Sequence, residues 1–368
     1  MNNRDAQNIF GRYPRLLVTD DVLQDAAHIV EGSYAPLTGF LRERDYLFVL
    51  DSMRLANGAV WSLPTVIALT DTEREYLAAA SAVEVVNRQG DARAIVQDIE
   101  IYPYDRGKQA LAVFGTTDMR HPGVARLYQQ GNWLLGGVVA TVEQHKKPFA
   151  ALAYTPEQMK QLFAERGWKT IAAFQTRNVP HRSHEYLQRK ALEVVDGLLV
   201  HPVVGKKKTG DFTDEAIVGG YELLLTNHYT PRTTVLGVLP LSMHYAGPRE
   251  AVHHALIRRN FGCTHMIIGR DHAGVGSFYD PYAAHRIFER FTPQELGIGI
   301  LAYENVHHCR SCNDLVYGET CGHGPGNREF LSGTAMREMV QNKQRIPEKF
   351  IRAEIAEYLL RHENPFVL

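Results

Sequence analysis

The chain has 368 residues, 45% hydrophobic and 22% charged, which fits a soluble globular protein with room for roughly two to three domains. A formal net charge of -1 gives no general attraction to nucleic acid or to an anionic membrane, so neither is expected as a partner and any anion site must be local. No apolar run approaches the roughly 18–20 residues of a spanning helix, the opening MNNRDAQNIFGRYPR lacks a signal peptide's apolar core, and four cysteines make no disulfide framework, so a reducing cytoplasm is expected.

Up to about residue 145, short β-rich runs dominate: VWSLPTVIAL, SAVEVV, ARAIVQDIEIYP, QALAVFG and WLLGGVVATV. Turn signals at Asn57-Gly58 and Gln89-Gly90-Asp91 separate several of them. They predict a compact β barrel or mixed sheet, with helices over 21–30 and 123–130. The pattern then alternates. TPEQMKQLFAERGW reads as a helix. Strands over 170–174, 197–200, 233–239, 264–269 and 298–303 are interleaved with helices over 180–195, 214–227 and 248–260. This βαβα order predicts a parallel sheet covered by helices. The tail from about residue 345 reads as helical. Three regions are expected: 1–145, 146–304 and 305–368.

The segment IAAFQTRNVPHRSHEYLQRKALEVV carries the most chemistry. An apolar strand ends at Phe174, polar residues follow, and a helix is expected from about Pro180, since proline suits a first helical turn. His181 and His184, three apart, share one face of that turn, beside free backbone N–H groups at the positive end of the helix dipole. Such a corner, at the carboxyl end of a parallel strand, is where α/β sheets bind nucleotides. Arg177 offers a planar fork suited to a tetrahedral oxyanion, and Gln175 and Asn178 add neutral donors. By spacing alone, the two histidines fit a solvated helix start equally well. Further on, the strand THMIIG leads into GRDHAGVG, where Gly274 and Gly276 let backbone approach an anion and Arg270 supplies fixed charge. Lys206, Lys207 and Lys208 read as a solvated loop or a phosphate-facing patch.

Near the C-terminus, HHCRSCNDLVYGETCGH sets Cys309, Cys312, Cys321 and His323 at C-x2-C-x8-C-x-H spacing. Four soft ligands around one tetrahedral ion leave no open position, so a structural Zn²⁺ is expected. His307 and His308 are alternative fourth ligands, and Cys263 reads as a small buried hydrophobe.

The run QTRNVPHRSHE resembles the QTRN-x-x-H-x-x-H signature of the ATP sulfurylases, with Val179 standing ahead of Pro180 where many members have proline directly after the asparagine. GRDHAG, AGPREA, HPVVGKKK, SYAPLTGFLRERDY, RLANGAVWSLP and LSGTAMREMV are similar to further segments of that family, in its order. The Val-Pro variant is similar to forms of sulfur-oxidising and sulfate-respiring microbes. The resemblance implies an α/β chain: a PUA-like β-rich domain, then a Rossmann-like nucleotidylyltransferase parallel-sheet domain, then a small C-terminal helical and zinc region. It implies that sulfate and ATP, with Mg²⁺, form adenylylsulfate and diphosphate by direct in-line displacement, or the reverse. Gln175, Arg177 and the Ala273 amide would hold sulfate, while Gln175, Asn178, His181, His184, Arg270, Asp271 and His272 would face ATP. Arg177, Asn178, His181, His184 and Arg270 would carry the catalysis. Ser332, Gly333, Thr334 and Arg337 would begin a helix near the nucleotide. His244 stands where relatives often carry a basic residue. A homo-oligomer is expected, and with no GxxxxGK(S/T) run, no fused kinase.

Overall fold

Strand-forming runs in the first part of the chain gather on one sheet, whose backbone is a pair of twelve-residue strands. The structure, a computed structural model, describes residues 10–144, 147–330 and 333–367. In chain order the first part forms β1 (Arg15–Leu17), α1 (Asp20–Val30), β2 (Gly39–Phe40), α2 (Glu43–Ser52), β3 (Ile67–Leu69) and α3 (Asp71–Tyr76). It continues with β4 (Ala82–Val86), β5 (Ala92–Pro103), α4 (Arg106–Phe114), α5 (Pro122–Tyr128) and β6 (Trp133–Gln144). The sheet order is β1-β4-β5-β6-β2, with β3 also on β6, and only the β1–β4 pair is parallel. Gly39 crosses β6 so tightly that a Cβ there would lie 1.9 Å from the Gly137 carbonyl oxygen, which only glycine permits.

Two expectations fail here. QALAVFG is not a strand but most of α4: Gln109, Ala110, Val113 and Phe114 are its buried face, a period near four. Asp105 caps its start by accepting from the Lys108 N–H at 3.0 Å, and Gly115 closes it at φ 70°. VWSLPTVIAL contributes only the three residues of β3. Ser62 leaves the sheet to donate to the Arg249 carbonyl at 2.7 Å, and the proline after Leu63 cannot donate to a ladder.

The second part runs α6 (Pro156–Glu165), β7 (Ile171–Thr176), α7 (Arg182–Leu192), β8 (Gly197–Val204), α8 (Asp214–His228), β9 (Thr234–Leu236), β10 (Leu239–Pro240) and α9 (Pro248–Asn260). Then come β11 (His265–Ile268), α10 (Ala283–Arg286), α11 (Pro293–Leu296) and β12 (Gly299–Ala302). All pairings are parallel, in the order β10-β8-β7-β11-β12 with β9 also on β8. The chain builds outward from β7 through β8, then returns to lay β11 on the other side of β7. That reversal opens a crevice beyond the carboxyl ends of β7 and β11, the usual ligand position in such sheets.

A three-stranded antiparallel ribbon follows, β13 (Val306–Cys309), β14 (Asp314–Tyr317) and β15 (Arg328–Glu329), with order β14-β13-β15. Helices α12 (Gly333–Gln341) and α13 (Ala353–Arg361) end the chain. Ser332 lies outside the described residues.

Helix α9 joins the two parts and is buried on every side, from Arg249 to Arg258. Arg249 donates to the Val49 carbonyl at 2.8 Å, which also accepts the Met53 N–H, and to the Leu50 carbonyl, an orphan C=O in the last turn of α2. Asn260 donates to the Ser33 and Ala35 carbonyls at 2.9 and 2.8 Å. One hydrophobic core runs across this joint, from Leu16 and Val83 to Leu256 and Ile268.

Candidate active site

Strand β7 delivers Gln175 and Thr176 to the crevice. The Thr176 hydroxyl then accepts from the Asn178 N–H at 3.0 Å and donates to its carbonyl at 3.1 Å, pinning a tight turn that presents Arg177 and Asn178. Val179 is fully buried, and Pro180 packs against Gly220 of α8. The helix therefore starts later than the expected Pro180. It begins at Arg182, and His181 is its N-cap, extended at φ -136°, ψ 166°. The His181 Nδ1 accepts from the His184 N–H at 3.4 Å. The two rings stack with centroids 3.6 Å apart, and the His184 Nδ1 lies 3.2 Å from the buried Tyr221 hydroxyl. Burial pushes the His181 pKa down to about 4. It pushes His184 further below 6.5, with His181 adding to the effect. Both are neutral at pH 7, so they serve as hydrogen-bonding groups rather than cations. Glu185, next in the motif, faces the other way and takes Arg189 and Arg352 at 2.9 Å each.

Strand β11 delivers the second loop. Asp271 and Ala273 both sit in the left-handed region, at φ 55° and 56°, and the Asp271 carbonyl accepts the Gly274 N–H at 3.1 Å to close the turn. The Ala273 carbonyl accepts from the Gly247 N–H at 3.1 Å, while its own N–H meets no protein acceptor among the described residues. Arg177 ties the two loops together, donating from Nη2 to the Gly274 carbonyl at 2.7 Å. Arg270 is half-exposed, 3.5 Å from the Asp271 carboxylate. His272 turns inward: its Nε2 lies 3.1 Å from the His254 Nδ1, and burial lowers its pKa to about 3.

These pieces enclose a cavity of about 840 Å³ whose walls include Gln175, Arg177, Asn178, His181, His184, Arg270, Asp271, His272 and Ala273. Lys208 and Arg337 line it too, as do Tyr279, Asp271 and Glu304. Of the three lysines, only Lys208 reaches it. Lys206 is exposed elsewhere, and Lys207 is buried in an ion pair with Asp214, its pKa pulled to about 8 by burial. His244 is not on the cavity wall, and burial lowers its pKa to about 4, so it contributes no fixed charge.

Sequence reasoning passed over two residues behind the wall, Tyr245 and Asp211. Asp211, only 2% exposed, accepts from the Tyr245 hydroxyl at 3.0 Å and lies 2.9 Å from the Lys208 Nζ. A carboxylate just beyond a lysine run was the available signal. A neighbouring cavity of about 580 Å³ shares Asn178, His181, Ser183 and Arg270 with the first and is lined by His307, His308 and Phe330 of the ribbon region.

Behind that ribbon, Cys309, Cys312, Cys321 and His323 converge, all four ligand atoms lying within 4.8 Å of one another. The Cys321 Sγ is 3.5 Å from both other sulfurs, and the His323 Nδ1 is 3.3 to 3.6 Å from all three. A tetrahedral ion with metal–sulfur bonds of about 2.3 Å needs edges of roughly 3.5–3.8 Å, so the set fits one metal ion. The Cys312 and His323 N–H groups each point at a cysteine sulfur at 3.5 Å, as a thiolate requires. His308 is held instead by Glu329 at 3.0 Å, and His307 packs on Phe330, so neither is the fourth member.

Residues 150–362 match the family model for ATP-sulfurylase, more than half of the chain. The chain belongs to the ATP-sulfurylase family. Residues 2–144 match the model for a PUA-like domain. Among similar proteins, the sulfate adenylyltransferase of Aeropyrum pernix is 45% identical over 358 residues, covering 96% of this chain and 92% of that protein. Those of Symbiobacterium thermophilum and Chloroflexus aurantiacus are each 44% identical, over 95% of this chain and 89% and 91% of theirs. A solved structure, the hexameric APS kinase from Thiobacillus denitrificans, superposes with a TM-score of 0.73 at 23% identity. It covers 98% of this chain, which spans 65% of that one, and it shares the fold. As an ATP-sulfurylase family member, the chain has the expected order of a PUA-like unit followed by a parallel α/β unit. Among its described residues no helix is long and apolar enough to cross a membrane.

Proposed function

We propose that this chain is a sulfate adenylyltransferase, joining ATP and sulfate to give adenylylsulfate and diphosphate, and running in reverse when diphosphate is supplied. The observation that carries the reading is one cavity at the β7–β11 crevice that combines the Arg177 fork, the unpartnered Ala273 amide and a pair of neutral histidines. In this reading Gln175, Arg177 and the Ala273 N–H hold sulfate. A sulfate oxygen attacks the α-phosphorus of ATP in line, the bond to the β-phosphate breaks, and diphosphate leaves with the electron pair. Asn178, His181, His184 and Arg270 donate to phosphate oxygens as charge moves onto them, the kind of fixed-donor stabilisation that dominates phosphoryl chemistry. Lys208 and Arg337 add positive charge on the same wall. Asp271 serves the site through its backbone turn, and His272 through its contact with His254.

Mg²⁺ bound to the nucleotide would neutralise phosphate charge. Asp271 and Glu304 are the carboxylates at hand, and no cage of three such groups gathers there among the described residues. The thiolate-rich cluster suits Zn²⁺ with every position filled, a structural role. Assembly as a homo-oligomer and a cytoplasmic setting complete the reading. The test is molybdate-dependent diphosphate release from ATP, run beside ATP formation from adenylylsulfate and diphosphate. Activity in both, lost by roughly 10²-fold or more in R177A and H184A, is the expected result. The ratio of the two rates reports which direction the enzyme favours. No turnover in either assay by folded, metal-loaded protein would remove the reading.

A further inference from the structure

Tyr245 occupies a place that a bulky residue takes only under compulsion. It is fully buried and sits at φ 61°, in the left-handed region. Four contacts hold it there. Its carbonyl accepts from the His121 Nε2 and from the Tyr279 hydroxyl, each at 3.0 Å. His121 comes from the N-terminal part, and its Nδ1 accepts from the Gly123 N–H, which leaves the proton on Nε2 to be donated. At the other end, the Tyr245 hydroxyl accepts from the Lys208 N–H at 2.9 Å and donates to Asp211 at 3.0 Å. The face of the ring lies 5.1 Å from the Arg177 guanidinium carbon.

We propose that Tyr245 is a positioning residue for this site: its ring supports the Arg177 guanidinium, and its hydroxyl, through Asp211, sets Lys208 and Arg337 on the same cavity wall. The proposal rests on the sulfate adenylyltransferase reading and adds to it a residue that does not itself line the cavity. One cation of the wall meets this side chain directly, and two more reach it through Asp211. Arg177 is fixed on two sides, by the Gly274 carbonyl and by the aromatic face, so its remaining N–H groups are aimed at the crevice. Lys208 is fixed by its own N–H on the Tyr245 hydroxyl and by its Nζ at 2.9 Å from Asp211. Arg337 lies 3.9 Å from the same Asp211 oxygen. Asp211 cannot drift, because its carbonyl accepts from the Val367 N–H at 2.8 Å. An anion entering the cavity therefore meets charges already in place, and little ordering is left to be done on binding.

The two arms separate by substitution. Y245F keeps the ring and removes the link to Asp211 and Lys208; Y245L removes the ring as well. Steady-state constants for sulfate and for diphosphate are measured with thermal melting of each variant. Y245F is expected to raise the diphosphate KM roughly threefold, as for one hydrogen-bonded link. Y245L is expected to raise the sulfate KM roughly tenfold in addition, as for a lost cation–π support. In both, kcat falls less than KM rises. In a D211N background Y245F should add nothing, because the hydroxyl acts through that carboxylate. Should Y245L fail to fold, Y245F and D211N test the hydroxyl arm by themselves. Wild-type KM values in the variants overturn the proposal, as does a joint loss of kcat and melting temperature at unchanged KM, or an additive Y245F/D211N pair. A wild-type enzyme silent in both directions removes the functional reading and this proposal with it; an active wild type with unaltered variants removes the proposal alone.

Discussion

Because the His181 Nδ1 accepts the His184 amide, the proton of that neutral imidazole is assigned to Nε2, facing the cavity. The His184 Nδ1 shares a hydrogen bond with the Tyr221 hydroxyl at 3.2 Å, which either group can donate. Each neutral ring has one N–H to give, and burial disfavours charging either. Two outcomes follow at this scale. H184N, which keeps a donor, should retain more activity than H184A, whose kcat should drop roughly 10²-fold. The ratio of wild-type to H184N kcat/KM should stay flat from pH 8 to pH 5.5, since burial holds His181 near 4 and pushes His184 well below the usual imidazole value. A break in that ratio near pH 6.5 would mean that a charged imidazole does the work. His181, His184 and Arg177 were legible because three neighbours in sequence stay neighbours in space. Tyr245 and Asp211 were not, since 34 positions separate them and only the fold makes them partners. His272 has a double setting that sequence does not show: it lines the crevice with its motif neighbours, and its Nε2 lies 3.1 Å from the buried His254.

Among the elements, the ribbon β13–β15 has the fewest means of holding itself. Its strands are two to four residues long, and below such lengths a sheet needs a staple. A metal ion held by Cys309, Cys312, Cys321 and His323 would supply one, and Val306 and His307 of β13 line the cavities beside the β7–β11 crevice. C312S, or treatment with a strong chelator, should therefore raise the ATP KM several-fold and lower the melting temperature by roughly 5 °C. If ATP KM holds steady in protein shown to be metal-free, the ribbon is not shaping that wall. The cysteine spacing pointed to the ligand cluster, but not to the ribbon that carries it. Helix α4 was hidden because its buried Gln109 and exposed Leu111 blur the apolar pattern that marks a helical face. Helix α2 shows a related ambiguity: Leu47 and Phe48 are exposed although hydrophobic, so DYLFVLD carries no clean period.

Over the whole molecule, buried imidazoles set the response to acid. His181, His244 and His272 have folded pKa values of about 4, 4 and 3, and His184, His201, His253 and His254 are also pushed well down by burial. From pH 6.5 down to about 4 the unfolded chain binds more protons than the folded one, so stability present above 6.5 is lost as pH falls through that window. Asp25 and Glu250, raised by burial to about 7, act in the opposite sense and are a smaller set. The melting temperature should be roughly 10 °C lower at pH 5 than at pH 7. Equal values would show that these rings take up protons without unfolding. Arg249→Met should cost about 2 kcal/mol by stranding the buried Leu50 carbonyl and removing a second donor from Val49, measured by denaturant unfolding. The alternation of strand and helix was legible from one end of this half to the other. The strand order was not, because no local pattern says on which side of β7 the chain will lay β11.

Helix α9 has a consequence for modularity. A helix enclosed on all sides yet built from Arg249, Glu250, His253, His254 and Arg258 cannot be exposed cheaply and cannot be greased into an apolar core either. Arg249 is matched to the Val49 and Leu50 carbonyls, and His253 to the Tyr34 and Trp61 rings, all supplied by the N-terminal half. The two halves are thus one heritable unit: a chimera that exchanges either without its mate would strand buried charge, and recombination between relatives should be tolerated only where both sides of that joint travel together.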